Sequence, residues 1–412
     1  MIKTGYSFCS IFFLSIVLSF SQPLFSAQFP QNPTFSTLVA TEFSVEGLTA
    51  DATGNLYTAG RTVTNNTNCP VYRVNPAAGE GSLAVVGFIP DPDGAGPVQC
   101  SPLGLAFNDA DSLFVADGGA GIVYSLNPDA STQPIATVFA SGVLGTNGLA
   151  FDRNGNLWTG DGTTGQGRVW KISSSGVVEE IFRIQPMANE VNLIGGVGGV
   201  GRDVRTLPPG TITVAPTTRN AANTLGSQPL VANGIAFTQR KGKGKGKEGG
   251  ELYIADTSRG AIWRVELGPD GSLGSRKGCD TTFTPNTLCL ENIYVAHPIL
   301  EGADGIALDR AGNIWVSVNE RNAIAVVTDK TVLEIFRNDL DAGTQLRNTG
   351  PLEFPTSPFL VEKLFCAANS DGDRRDNSPN SAGEVKPAGP TRGKISCMDQ
   401  ELSIPGLPLP VD

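Results

Sequence analysis

Four side chains that carry oxygen donors begin copies of one repeated phrase. The phrase is a small or polar residue, a glycine and two apolar positions, and these four copies begin with Glu46, Asn147, Asn233 and Asp304. The two carboxylates and two carboxamides together carry a formal charge of −2. Ca²⁺ takes about six to eight hard oxygen ligands, so the set predicts a calcium site completed by water or substrate. Another divalent cation would fit the same donors.

Each copy taken alone has a simpler explanation. Asn-Gly and Asp-Gly are ordinary turn sequences, and a turn needs no metal. Glu46 is not a favoured turn residue, however, and it stands in the same register as the Asn and Asp residues. The shared register therefore favours the metal site. Zinc is a poor fit, because the chain has one histidine and its cysteines are better explained as disulfides.

The repeat also predicts the architecture that positions these residues. Further copies begin at Leu103 and Thr356, and most copies lead into a strand of alternating pattern such as Val169-Trp170-Lys171-Ile172. The spacing between copies is at or above the roughly 40–50 residues of a propeller blade. We predict an all-β, six-bladed β-propeller of four-stranded antiparallel blades with loop insertions, formed as one domain by residues 28–412. The turn entering each innermost strand should bring the phrase beginnings together at the central axis.

Composition agrees with many short strands and turns. The chain contains 50 Gly and 28 Pro, which interrupt helices, together with 40% hydrophobic residues that allow a core. Its 30 Lys and Arg against 40 Asp and Glu give a net charge of −10. A negative chain repels phosphate backbones, so this balance argues against a nucleic-acid partner.

The N-terminal segment has the features of a secretory leader. Lys3 precedes a mostly apolar run over residues 8–20, which is too short to span a membrane as a helix. We predict a signal peptide over residues 1–27, with cleavage after Ser21 or Ala27. No later apolar run is long enough to span a bilayer, so we expect no membrane association after cleavage, and a secreted or periplasmic product.

The cysteines fit an oxidising compartment. Cys9 lies in the leader, and six cysteines remain, none in a C-x-x-C spacing. Neighbours in sequence fall within the same repeat, which favours local pairs over other connectivities. The predicted disulfides are Cys69–Cys100, Cys279–Cys289 and Cys366–Cys397.

The repeat resembles a known family. Glu46-Gly47, Asn147-Gly148, Asn233-Gly234 and Asp304-Gly305, each with its following strand, resemble the gluconolactonase/regucalcin-like (senescence-marker-protein) six-bladed propellers. Relatives of that family include calcium-dependent lactonases and diisopropylfluorophosphatase-type phosphotriesterases. The likeness covers about residues 40–370. It implies that these Glu, Asn and Asp residues hold a catalytic calcium.

The resemblance implies a Ca²⁺-dependent hydrolase of small-molecule lactones or related esters. Calcium would polarise the carbonyl or phosphoryl oxygen, and Asp304 would act as general base or as nucleophile, two roles the sequence does not separate. One alternative is a non-catalytic extracellular propeller that carries a structural calcium, and a remoter one is a strictosidine-synthase-like enzyme. A serine triad is unsupported, because no serine lies in G-x-S-x-G and the sole histidine, His297, is better interpreted as a surface or structural residue.

Overall fold

The computed structural model places most of the repeat region. It describes residues 29–62, 66–93, 99–164, 166–185, 232–238, 250–257, 259–268, 271–274, 286–300, 302–329, 331–339, 350–370 and 392–409. The predicted signal peptide and Cys279 lie outside these ranges. Among the residues described, no helix is long and apolar enough to cross a membrane.

Short β-strands make up the described chain. The strands are β1 (Phe35–Thr41), β2 (Ser44–Val45), β3 (Thr49–Ala50), β4 (Leu56–Arg61), β5 (Cys69–Val74), β6 (Ala84–Ile89), β7 (Pro102–Phe107), β8 (Leu113–Asp117), β9 (Ile122–Leu126), β10 (Thr137–Ser141), β11 (Thr146–Phe151), β12 (Leu157–Asp161), β13 (Arg168–Ile172), β14 (Val178–Ile184), β15 (Ala232–Phe237), β16 (Glu251–Asp256), β17 (Ala261–Glu266), β18 (Thr287–Leu288), β19 (Ile293–Ala296), β20 (Ala303–Leu308), β21 (Ile314–Val318), β22 (Ala323–Thr328), β23 (Thr331–Arg337), β24 (Pro355–Val361), β25 (Leu364–Asn369) and β26 (Gly393–Met398). Short 3-10 turns span Gly79–Ser82, Leu290–Asn292, Pro298–Leu300 and Asn319–Arg321.

The strands form six antiparallel sheets, one for each copy of the repeat. Blade 1 contains β3 to β6, with β2 also paired to β4, and blades 2 and 3 contain β7 to β10 and β11 to β14. Blade 4 contains β15, β16, β17 and β19, blade 5 contains β20 to β23, and blade 6 contains β24, β25, β26 and β1. A fifth strand, β18, runs parallel to β14 at the outer edge of blade 3. The predicted all-β, six-bladed β-propeller is confirmed.

The N-terminal strand completes the last blade. β1 pairs antiparallel with β26, from Phe35 opposite Met398 to Thr41 opposite Gly393. The sequence pattern did not predict this pairing, because β1 precedes the first copy of the repeat. Pairing the first strand with the last covers an edge that would otherwise expose its backbone N–H and C=O groups.

Apolar and aromatic side chains fill the spaces between neighbouring blades. Trp158, Trp263 and Trp315 are fully buried. Four aromatic pairs each join one blade to the next, because the two faces of a blade are covered only by its neighbours. They are Tyr57 with Phe107, Phe114 with Phe151, Trp158 with Phe237, and Trp315 with Phe365, with ring centroids 4.9, 5.2, 5.7 and 5.1 Å apart.

An aspartate organises the turn after the innermost strand in three blades. In blade 3, Asp152 Oδ1 accepts backbone N–H groups of Asn154 and Asn156, both at 2.9 Å. Its Oδ2 accepts the indole N–H of the buried Trp158 at 2.9 Å. Asp51 binds Tyr57 in the same way in blade 1, and Asp309 binds Trp315 in blade 5. The sequence D-x-x-G-N followed by an apolar residue and Tyr or Trp therefore ties each turn to the core.

The hydrogen bonds made to Asp51 in the turn of blade 1 lower its pKa. Burial acts to raise the pKa of this carboxyl, but hydrogen bonds from Asn55, Thr53 and Tyr57 outweigh it and hold the pKa below its ordinary value of 3.8. The carboxylate form is therefore the form that the turn stabilises.

Two of the three predicted disulfides are confirmed. Cys69 is bonded to Cys100, with a Cα–Cα distance of 6.1 Å, and Cys366 to Cys397, which lie directly opposite each other on β25 and β26. Cys289 is also disulfide-bonded, and its predicted partner, Cys279, lies outside the described residues. The Cys366–Cys397 bond joins two strands of the blade that closes the ring.

Removing the turn aspartate should destabilise the propeller. Asp152→Ala leaves the buried Trp158 indole and two backbone N–H groups without their acceptor, so we expect the free energy of unfolding to fall by about 2–4 kcal/mol. Urea unfolding followed by tryptophan fluorescence measures this loss. Asp109→Ala is the matched control, because Asp109 is exposed in the equivalent turn of blade 2. Equal stability of the two variants would contradict this role.

Candidate functional site

The predicted site residues lie at irregularities in the innermost strands. In blades 2 to 5 the pairing between the innermost and second strands shifts register, so that two inner residues oppose one residue of the neighbour. In blade 3, for example, Asn147 and Gly148 lie between the paired residues Thr146 and Leu149. This arrangement is a β-bulge, which re-aims a side chain at the end of a strand.

The predicted position of these residues therefore needs one correction. The sequence placed the phrase beginnings at the turn that enters each innermost strand. Leu103, Asn147, Asn233, Asp304 and Thr356 lie inside β7, β11, β15, β20 and β24, and only Glu46 lies between strands, after β2. The Asn-Gly and Asp-Gly pairs form bulges rather than turns, because the strand continues to pair on both sides of them.

The glycines show that these positions neighbour one another around the axis. A Cβ atom on Gly148 would lie 2.9 Å from the carbonyl oxygen of Asn233, and one on Gly234 would lie 2.5 Å from that of Asp304. The same approach relates Gly47 to Leu103 in the next blade, Gly104 to Asn147, and Gly305 to Thr356. Only a residue without a side chain fits at such a distance from a neighbouring backbone.

Thr356 completes the circle, because its hydroxyl donates to the carbonyl oxygen of Glu46 at 2.6 Å. We name the six residues the axial ring. In order around the axis they are Glu46, Leu103, Asn147, Asn233, Asp304 and Thr356. Asn147, Asn233 and Asp304 are consecutive, and Glu46 is separated from them by Leu103 on one side and Thr356 on the other.

An apolar channel runs along the axis on one side of the ring. It has a volume of about 100 Å³ and is lined by the residues that follow the ring glycines, including Ala106, Ala150, Ala236 and Ala307. Leu407, from the C-terminal segment, also lines it. That segment is held at the far ends of the innermost strands, where Leu402 N–H bonds Lys363 O and Gly406 N–H bonds Glu362 O. The C-terminal segment therefore lies across the end of the channel opposite the axial ring.

A second residue lies behind each ring residue, at the end of the second strand of the same blade. We call these residues the flanking set. They are Arg61, Gly118, Gly162, Thr257, Asn319 and Ser370. The strand pairing places each one beside its ring residue, and this neighbour decides which contacts the ring side chain makes.

Asp304 is positioned by Asn319. The Asn319 amide donates to Asp304 Oδ2 at 2.9 Å, and the two residues are 3% and 4% exposed. Asn319 Oδ1 is also buried and accepts no hydrogen bond from the part of the chain that the structure describes. The amide thus leaves an oxygen uncompensated beside the carboxylate, as a cation site would require.

The two ring asparagines have different surroundings. Asn233 Nδ2 donates to the Thr257 hydroxyl at 3.2 Å, which turns its amide nitrogen away from any cation. Asn147 packs against Gly162, where an added Cβ would lie 2.7 Å from the Asn147 Cβ. Both asparagines are buried, at 6% and 7% exposed, so their side chains are held in place.

Glu46 forms an ion pair with Arg61. The guanidinium Nη2 of Arg61 donates to Glu46 Oε2, and the two side chains are 23% and 13% exposed. Sequence reasoning did not single out Arg61 or Asn319. A signal exists in the sequence, because both residues stand at the end of the second strand of their blade, in register with Thr257.

Three acidic residues at the ends of second strands do not belong to the ring. Asp117, Asp161 and Asp256 precede the flanking set by one residue and are completely buried. Since side chains alternate along a strand, they point away from their flanking neighbours, into the loops. Asp256 pairs with Arg259 at 2.7 Å, and Asp161 accepts the backbone N–H of Thr164 at 2.9 Å. Their role is to fix the loops around the ring.

Burial changes the acidity of two of these carboxyls. It raises the pKa of Asp117, against backbone hydrogen bonds from Ala120, Ser101 and Gly119 and the charge of Arg61. It also raises the pKa of Asp161, against hydrogen bonds from Thr164 and the charge of Arg168. The charge of Arg61 thus acts on both Asp117 and Glu46.

His297 lies on the surface. It is exposed, and its Nδ1 accepts the backbone N–H of Ile299 at 3.1 Å. This position agrees with the surface or structural role predicted for it.

The residues at the ring fit a hard cation. The ring supplies two carboxylates and two carboxamides, and Asn319 adds a buried oxygen beside Asp304. Within the described ranges, no cluster of three or more His, Cys, Asp or Glu side chains suits a metal. The fit therefore depends on the asparagine oxygens as much as on the carboxylates.

Comparison with known proteins supports the fold. No protein-family profile matches the chain, and no curated protein matches it. A candidate gluconolactonase of known structure is 14% identical, with a TM-score of 0.51, and 94% of this chain and 98% of that chain are covered. Regucalcin, a calcium-binding protein from Agrobacterium tumefaciens, is 16% identical, with a TM-score of 0.51 and coverage of 92% and 97%.

Luciferin-regenerating enzyme is 12% identical, with a TM-score of 0.53 and coverage of 91% and 98%. The chain shares their fold. The resemblance to gluconolactonase/regucalcin-like propellers that the sequence predicted is thus confirmed for the architecture. At such low identity the comparison shows the fold alone.

The contact between Asn319 and Asp304 can be tested by its contribution to stability. Asn319→Leu keeps the branched shape of the side chain but removes a donor from a buried carboxylate, so we expect the free energy of unfolding to fall by about 1–3 kcal/mol. Urea unfolding measures the change. Asn154→Leu, at an exposed turn position, is the control. An Asn319→Leu variant as stable as wild type would show that the amide does not support Asp304.

The raised pKa of Asp117 predicts a pH dependence. The folded protein holds this proton more tightly than the unfolded chain, so the contribution of Asp117 to stability is complete below its unfolded pKa of about 3.9. That contribution is lost as the pH rises through the higher folded pKa. We expect the stability of wild type minus that of Asp117→Asn to fall as the pH rises from below the unfolded pKa towards neutrality. Urea unfolding across this range measures the difference, and Asp109→Asn is the exposed control. A constant or rising difference would contradict the prediction.

Proposed function

We propose that this protein is a Ca²⁺-dependent hydrolase of small-molecule lactones or related esters. The cation, or another divalent ion, would be held by Glu46, Asn147, Asn233 and Asp304. The observation that supports the proposal is the axial ring, in which strand bulges and close backbone approach bring these four positions around one axis. Two carboxylates and two carboxamides at these positions are oxygen donors of the kind that a hard divalent cation takes as ligands.

The roles of the residues follow from their surroundings. A bound Ca²⁺ supplies Lewis-acid polarisation of a carbonyl or phosphoryl oxygen. Asn147 and Asn233 are buried, and their amide side chains are neutral and do not titrate. Their oxygens could therefore bind a cation without any change in protonation. The hydrogen bond from Asn319 holds Asp304 Oδ2 in a fixed orientation, which either catalytic role would use.

Asp304 is the proposed catalytic residue. As a general base it would take a proton from the water that attacks the ester carbon. As a nucleophile its carboxylate would add to that carbon and expel the alkoxide, and water would then hydrolyse the acyl-enzyme to release the acid and regenerate Asp304. Single turnover in ¹⁸O-labelled water would identify the nucleophile if the label enters the Asp304 carboxylate, because water that opens the acyl-enzyme at the Asp304 carbonyl leaves its oxygen there and a general base keeps its own oxygens. The low exposure of the ring keeps bulk water away from this chemistry.

We also propose that the substrate enters on the side of the axial ring. The opposite end of the channel is lined by apolar side chains and crossed by the C-terminal segment. Export is part of the same proposal: the two disulfides that the structure describes fit an oxidising compartment, either outside the cell or in a periplasm.

Removing the charge of Asp304 should abolish calcium-dependent turnover. Asp304→Asn keeps the size and one oxygen, so the fold should survive while hydrolysis falls by about 10²–10⁴-fold. Rates on a panel of lactones and aryl esters, with calcium and with chelator, measure the change. Asp111→Asn is the matched control, since Asp111 is exposed and its positive φ of 56° also suits asparagine.

Three outcomes are informative. Calcium-dependent hydrolysis lost in Asp304→Asn and kept in Asp111→Asn would support the proposal. Full activity of Asp304→Asn would overturn the role of Asp304. Tight calcium binding without turnover on any ester would instead indicate a structural ion in a non-catalytic binding propeller.

A further inference from the structure

Arg61 differs in kind from the rest of the flanking set. The residues at the equivalent positions of the other blades are Gly118, Gly162, Thr257, Asn319 and Ser370, which are small or uncharged. Arg61 instead extends a guanidinium to the carboxylate of Glu46. The guanidinium of Arg61 therefore already neutralises one of the two carboxylates of the axial ring.

Glu46 cannot fully bind both the Arg61 guanidinium and a divalent cation at the same time. Its Oε2 accepts the Arg61 N–H in the structure, and the same carboxylate is a proposed ligand of the divalent ion. A guanidinium and a divalent cation on one carboxylate repel each other strongly in a partly buried site, where screening by water is reduced. Binding of the ion thus requires Arg61 to withdraw from Glu46, wholly or in part.

The charge of Arg61 also acts on a second carboxylate. Asp117, at the end of β8 in the neighbouring blade, is close enough that the charge of Arg61 opposes the rise in its pKa. Asp117 is buried and already accepts backbone N–H groups of Ser101, Gly119 and Ala120.

We propose that Arg61 is a tethered counter-ion that occupies Glu46 in the cation-free protein and exchanges with the divalent cation when the cation binds. The inference rests on the proposed function, because it assumes a cation at the axial ring. The exchange makes the cation affinity lower than the ring oxygens alone would give. It also keeps Glu46 neutralised when no cation is present, which avoids leaving a partly buried carboxylate unpaired.

The first test is calorimetric titration of chelator-stripped protein with Ca²⁺. Arg61→Gln removes the competing charge, so we expect it to bind Ca²⁺ at least about tenfold more tightly than wild type, equivalent to about 1.4 kcal/mol. Arg61→Lys keeps the charge without the fork of donors and should lie between the two. Arg73→Gln is the matched control: it makes the same charge change in blade 1, where Arg73 pairs with Asp129 on the surface, and should bind as wild type.

The second test is the melting temperature of the same proteins, with chelator and with a fixed, subsaturating Ca²⁺ concentration. Without Ca²⁺, Arg61→Gln should melt below wild type, because Glu46 has lost its partner. With Ca²⁺ the order should reverse, since the variant binds more of the ion and ligand binding stabilises the folded state. This readout does not depend on catalytic activity or on the identity of the substrate.

The outcomes separate this inference from the proposed function. If wild type and Arg61→Gln bind Ca²⁺ with equal affinity, or the variant binds more weakly, the cation site stands and the exchange is overturned. If neither protein binds Ca²⁺, both the cation site and the exchange are overturned, and the ion pair is a structural contact only. Tighter binding by Arg61→Gln together with a reversed order of melting temperatures supports both.

Discussion

The close approach of the innermost strands at the axis is the constraint on which this structure depends. At Gly148 and Gly234, for example, the backbone of one blade lies so near the next that a Cβ would overlap its atoms. This packing sets the diameter of the ring and so the separation of the residues before the glycines. A polar side chain at such a position cannot move far from the axis, because its own glycine is fixed against the adjacent blade. The glycines therefore determine the geometry of the site although they contribute no donor to it.

Bulges and flanking residues then decide what each ring side chain does. Since the bulge adds one residue to the inner strand, it turns the side chain before the glycine relative to the regular pleat. The flanking residue at the end of the second strand is the bonding partner of each of three ring side chains: it supplies an amide to Asp304, a hydroxyl to Asn233 and a guanidinium to Glu46. Six similar strands thus give a ring whose members differ chemically. The aspartates one residue earlier serve the loops instead, because alternate residues of a strand face opposite sides.

Much of the architecture could be predicted from the sequence, because the repeat is local. A glycine, apolar positions and a following strand recur in blades 1 to 5, and a degenerate copy with Ser357 in place of the glycine begins blade 6. Each unit needs neighbours to cover its faces, so the number of copies gave the number of blades. Cysteine pairs within one repeat could be predicted for the same reason. The pairing of β1 with β26 could not, since it joins strands far apart in sequence and β1 carries no copy of the phrase. The Glu46–Arg61 pair could not be predicted for a related reason. Arginine is common at the end of a strand, and only the strand register brings this one to the axial ring.

The pairing of β1 with β26 also affects the order in which the blades can form during synthesis. β1 is the first strand to be synthesised and β26 is the last, so blade 6 has no complete sheet until translation of the strand region has ended. The four antiparallel strands of each of blades 2 to 5 follow one another in sequence apart from β18, which joins blade 3 from the segment within blade 4, and their hairpins can form as they emerge from the ribosome. The axial ring is different, because Thr356 of the last blade bonds Glu46 of the first and depends on the same closure. The hydrogen bond that closes the axial ring can therefore form only after β24 has been synthesised, and a chain that ends before β24 lacks it.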